Sequence, residues 1–92
     1  MDINLLITNE IEDLPKRYAS VYSSQGLHGA SEFVDSLNDL ITIASLSNQA
    51  GTLTPTTKAR IKESLVECLN LDIPLLQIER CWDTAVNNNI IS

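Results

Sequence analysis

Cys68, Cys81 and His28 are the side chains of this chain best suited to nucleophilic or metal chemistry, and they are few. A catalytic thiol needs a neighbour that lowers its pKa, and a catalytic histidine needs a third group to orient it. His28 sits in Gly26-Leu27-His28-Gly29, and no motif spacing links it to Cys68 or to an orienting carboxylate. Two cysteines and one histidine are too few for a structural zinc site. The sequence contains no Gly-rich phosphate loop and no calcium-loop pattern. No catalytic, cofactor-binding or metal-ligating residue is therefore assigned, and the chain is not read as an enzyme. The cysteines are expected to be free and buried. In a helical hairpin turning near Leu71–Asp72, Cys68 faces Leu75, and Cys81 lies about 9 Å further along. A disulfide spans Cα atoms no more than roughly 7 Å apart.

Carboxylates offer a different chemistry, electrostatic attraction of a basic partner. Glu32, Asp35 and Asp39 stand at i, i+3 and i+7. At about 100° per residue they fall within about 60° of one another on a helix. Ile43 and Leu46 follow on the side of that helix away from its expected core face. These five residues are the expected partner contacts. Glu10, Glu12 and Asp13 add a second acidic cluster. Residues 1–50 hold seven acids and two bases, whereas residues 51–92 hold five and four. Lys58, Arg60 and Lys62 form the one basic cluster, with Arg60 placed to pair with Glu63 at i, i+3. It lacks interleaved aromatics, and a chain of net charge −6 is repelled by phosphate backbones and anionic membranes. Nucleic acid and membrane are excluded as expected partners.

Asp35-Ser36-Leu37 resembles the phosphopantetheine attachment motif of acyl carrier proteins, which are also small, acidic and helical. The resemblance covers three residues and implies modification at Ser36. That family places its serine at the start of a helix, after a glycine. Here Ser36 falls about six residues into the expected helix, and Phe33-Val34 precede the motif.

The elements that position these groups follow from hydrophobic spacing. Four segments show helical periodicity, and none shows the alternation of a strand. Ile7, Ile11, Leu14, Tyr18 and Val21 stripe a first helix over about Ile3 to Tyr22. Pro15 lies within it, so that it either kinks or breaks there, with Asp13 as the cap of a second helix in the latter case. Ser23 to Gly29 read as a loop. A second helix runs from about Ala30 to Leu46, with Phe33, Leu37, Leu40 and Ala44 lining its core face and Val34 and Ile41 alongside. Thr54-Pro55 start a third helix, with Ile61, Leu65, Cys68 and Leu69 inward and Asn70 as a left-handed end. Asp72 caps a fourth, with Leu75, Ile78, Trp82, Ala85 and Val86 inward, and Asn87-Asn88-Asn89 end it. Ile90 and Ile91 must pack back or meet a partner. Of the aromatics, Tyr18, Phe33 and Trp82 fall on core faces and Tyr22 is the one expected to be exposed.

Ninety-two residues, 43% hydrophobic and 20% charged, make one globular domain spanning 1–92. The expected fold is all-α, with four to five short helices in a bundle-like antiparallel array. The N-terminus lacks the basic and continuous apolar regions of a signal peptide, and no apolar stretch approaches the roughly 20 residues of a membrane span. A cytoplasmic location is expected. The expected function is a non-catalytic protein-interaction module, an acidic inhibitor, immunity-type protein or adaptor. A homodimer built on the two-faced second helix is the alternative.

Overall fold

Asp2 opens the first helix, its carboxylate accepting the Asn4 backbone N–H at 3.0 Å. This N-cap satisfies one of the free amides of the first turn. The computed structural model describes residues 2–71 and 78–91. In it α1 spans Ile3–Ile11. Glu12 is extended and Asp13 adopts the left-handed region at φ 55°. α2 then begins at Leu14 with Pro15 in its first turn. The chain therefore breaks ahead of Pro15. A continuous helix would direct the missing Pro15 N–H at the Ile11 carbonyl, where the ring also clashes. Asp13 holds the N-cap position but makes no side-chain cap hydrogen bond. The apolar stripe keeps its phase across the break: Ile7, Ile11, Leu14 and Tyr18 are all buried.

α2 spans Leu14–Gln49 and is helical throughout except at Gly26, which has φ 68° and ψ −156°. The loop expected over Ser23 to Gly29 is thus a one-residue kink. Serine, which often competes with helical backbone, is accommodated here because the Ser24 Oγ folds back onto the Ser20 carbonyl at 2.9 Å. The helix also runs past Leu46 to Gln49, and Gly51 (φ 77°) turns the chain after it.

α3 spans Pro55–Leu69, with the Thr54 hydroxyl accepting the Thr57 N–H at 3.2 Å and Pro55 in the first turn, as the sequence implies. Its end differs from expectation. Asn70 is right-handed (φ −90°, ψ 0°), and its N–H continues to Val66 as a last helical turn. α4 spans Ile78–Asn87. The expected cap Asp72 and core residue Leu75 lie outside the described residues. Asn89 turns the chain at φ 62°, and the Ile90 N–H bonds the Ala85 carbonyl at 2.9 Å. This folds Ile90 and Ile91 back into the core.

One apolar cluster draws on all four of these helices. α2 touches α1, α3 and α4, and α3 touches α1 and α4. The accessible surface, 5369 Å², matches the roughly 5,300 Å² of a folded monomer of this mass. The inward face of α2 is centred on Val34, Leu37, Ile41 and Ala44, while Phe33 and Leu40 are only half-buried. On α4 the inward residues are Ile78, Cys81 and Ala85; Trp82 is half-buried and Val86 is 41% exposed. Both helices are rotated slightly from the expected phase; each contacts more than one neighbour, α2 meeting α1, α3 and α4, and α4 meeting α2 and α3. Tyr22, expected outside, is half-buried against the core.

Candidate functional site

The second half of α2 turns one face inward and leaves the opposite one bare. Glu32, Asp35, Asp39, Thr42, Ile43 and Leu46 are all exposed. On a helical wheel they occupy an arc of about 100°, opposite Val34 and Ile41. Along the axis, Glu32 to Leu46 spans about 21 Å at 1.5 Å per residue. The face is acidic toward its N-terminal end and apolar toward the other, where Ile43 is 43% and Leu46 61% exposed. All five sequence-selected contact residues therefore lie on this single exposed strip.

Its charges are not equivalent. The Glu32 carboxylate lies 3.3 Å from the His28 Nε2 one turn earlier. Asp35 accepts from the Arg80 Nη2 of α4 at 2.9 Å. Both pairs are largely solvent-exposed, so each contributes at most about 1 kcal/mol. Asp39 has no ion pair among the described residues and is the freest charge of the strip. The Arg80–Asp35 bridge joins residues 45 positions apart. Sequence spacing does not reveal it, although Arg80 is the only basic residue between 63 and 92. The expected Arg60–Glu63 pair is not formed. Both residues instead border a polar recess of about 230 Å³ between α1 and α3, shared with Glu12, Asp13 and Glu67.

The thiols lie in the core. Cys68 and Cys81 are free and fully buried. Burial, aided by Glu67 and Cys81, pushes the Cys68 thiol up to about 12. Burial also pushes Cys81 up to about 11, against the lowering effect of Arg80. The Cys81 thiol donates to the Val34 carbonyl at 3.8 Å. Both thiols stay protonated at neutral pH and are shielded from reagents, which suits packing and not nucleophilic attack. His28 is exposed and faces Glu32, whereas Cys68 is buried in the core. Ser36 is exposed but well inside α2, away from any helix start. Among the described residues, no group of three or more His, Cys, Asp or Glu side chains is arranged to hold a metal ion. None of the described helices is long and apolar enough to cross a membrane.

Two residues with organising roles were not singled out by spacing. Arg17 donates from Nε to the Glu12 carbonyl at 3.2 Å and from Nη2 to the Glu10 carbonyl. Its guanidinium also lies 5.9 Å from the Phe33 ring centre. It thereby satisfies carbonyls at the end of α1. It borders a surface recess of about 570 Å³, together with Asn9, Glu12, Asp13, Lys16 and Ser20. That recess is wide and open, and its charges are mixed. Asn4 donates to the Thr52 carbonyl at 2.9 Å and accepts from the Thr54 N–H at 2.9 Å, pinning α1 to the start of α3.

No protein-family profile, characterised protein or solved structure matches this chain.

Proposed function

We propose that the chain is a non-catalytic protein-binding module, of inhibitor or adaptor type, that docks a basic, partly apolar surface of a partner protein through the outer face of α2. The reading rests on one observation: Glu32, Asp35, Asp39, Ile43 and Leu46 form a continuous strip that the rest of the fold leaves uncovered. Carboxylates at one end attract and orient a basic partner, and the apolar end supplies burial once it is seated. A net charge of −6 favours a basic partner over a second copy of the chain through this face. The scaffold in this reading is an antiparallel bundle-like array acting in the cytoplasm, with neither nucleic acid nor membrane as ligand.

Charge reversal at Glu32 and Asp39 tests the reading with the Arg80–Asp35 bridge left intact. A partner captured from host extract by the wild-type chain should be held less tightly by Glu32→Lys/Asp39→Lys, and its release should depend less steeply on salt. Ile43→Ser/Leu46→Ser should weaken capture of the same partner with the salt dependence retained. A partner held equally by the wild type and by both variants would place the binding face elsewhere.

A further inference from the structure

Gly26 is the one non-helical residue inside α2, and its φ 68°, ψ −156° lie in a region open essentially to glycine alone. Gly29 responds to the same bend from helical backbone. A Cβ placed on it would stand well inside 3.0 Å of the Gln25 Cβ and Oε1. In a straight helix, residues at i and i+4 keep their Cβ atoms about 5–6 Å apart, so that conflict belongs to the bend. Around Gly26 a Cβ would meet nothing within 4 Å. The need for glycine there comes from backbone conformation and not from crowding.

The bend divides the described residues into an arm, 2–25, and a body, 30–71 and 78–91. The arm buries Ile7, Ile11, Leu14 and Tyr18 against the body. Tyr18 stacks on Phe33 across the divide, with ring centres 5.7 Å apart. Asn4 fastens the far end of the arm to Thr52 and Thr54. An arm released from its own body carries an apolar stripe that has to be covered again, and the matching groove is present on a second copy of the chain.

We propose that Gly26 and Gly29 form a hinge through which α2 straightens and two copies exchange their arms. Every arm–body contact of the monomer is re-formed between copies in the exchanged dimer. Each copy then holds an unbroken 36-residue helix, about 54 Å long. Glycine keeps the balance on the monomer side, because it takes the bend without steric cost and is a poor helix former. Alanine at both positions opposes the bend and favours the straight helix. The inference is independent of the partner-binding reading, since the strip on α2 lies wholly within the body.

Light scattering on Gly26→Ala/Gly29→Ala over a hundredfold range of concentration tests the hinge. The wild-type chain should run near 10.1 kDa at micromolar concentration, and the variant at twice that mass. The dimer dissociation constant should fall by about 100-fold or more. In a mixture of isotope-labelled and unlabelled variant, contacts between the Tyr18 and Phe33 rings should appear between copies. Gly51→Ala, strained at φ 77° but away from the hinge, should lower stability and remain monomeric. A folded, monomeric double variant would overturn the proposal, as would a dimer whose Tyr18–Phe33 contact stays within one chain. If the double variant does not fold, Gly29→Ala alone decides, and a dimer fraction unchanged from wild type overturns the hinge.

Discussion

Raising the pH from 8 to 10 should destabilise this protein through its two buried thiols, by an amount the structure allows to be worked out. In the unfolded chain each thiol ionises near 9.0, whereas in the fold Cys68 is held to about 12 and Cys81 to about 11. Below pH 9 both states keep the protons, and the stability due to burial is fully present. Between pH 9 and 11 the unfolded chain releases two protons that the native state retains. The unfolded state then binds fewer protons, so stability falls as pH rises, and the loss levels off only above the folded values. Each unmatched proton is worth about 1.4 kcal/mol per pH unit. Integrated from pH 8 to 10, the two thiols account for about 2–3 kcal/mol, a large share of the roughly 5–15 kcal/mol stability of a small domain. The Tyr18 hydroxyl, also raised by burial, acts in the same direction above its ordinary 10.0, so the comparison stops at pH 10. Urea unfolding followed by the fluorescence of Trp82, the single tryptophan, should show the midpoint falling by about 1–2 M over this range. Cys68→Ala/Cys81→Ala should be less stable at pH 8 but lose most of the slope. An equal slope in the wild type and this variant would refute the assignment, because the destabilising protons would then come from other groups.

The exposed strip and the core beneath it should respond oppositely to substitution. Leu46→Glu should change unfolding free energy by no more than about 0.5 kcal/mol, since Leu46 is 61% exposed. Ile41→Ala, on the opposite face of the same helix and buried, should cost about 2–5 kcal/mol. Chemical denaturation of the two variants side by side checks the contrast, and an unfolded Leu46→Glu would make Leu46 a core residue. Asn4→Ala removes the clasp between α1 and α3, leaving the Thr52 carbonyl and Thr54 N–H to water. It should cost about 1 kcal/mol and speed amide hydrogen exchange within α1, and unchanged exchange there would show that the clasp carries no stability.

Local rules were legible in the chain because they act within one helical turn. Thr54 and Pro55 announced the start of α3. Asn87 to Asn89 marked the end of α4. The spacing of Ile7, Ile11, Leu14 and Tyr18 revealed one buried stripe across a break whose cause, Pro15, was also visible. The candidate strip was legible in the same way, as Glu32, Asp35, Asp39, Ile43 and Leu46 share a face by spacing alone. Periodicity could not choose between Phe33 and Val34 as the centre of the inward face, because a stripe defines its own phase only to within about one residue. Packing of α2 against α1, α3 and α4 made that choice.

The tertiary structure also decided what became of Gly26. Two serines and two glycines signal a break equally well as a seven-residue loop or a single kinked residue. In the fold only Gly26 departs from helical backbone, and Ile7, Ile11, Leu14 and Tyr18 before it are buried in the shared core. Long-range pairs such as Asp35 with Arg80 and Asn4 with Thr52 leave no trace in local spacing, since their partners meet only after the helices have packed. What this sequence determined by itself was its helices and their faces, through steric and capping preferences that operate over a few residues. Which faces met, which charges were left free and where the long helix bent depended on the shared core, a property of the whole chain.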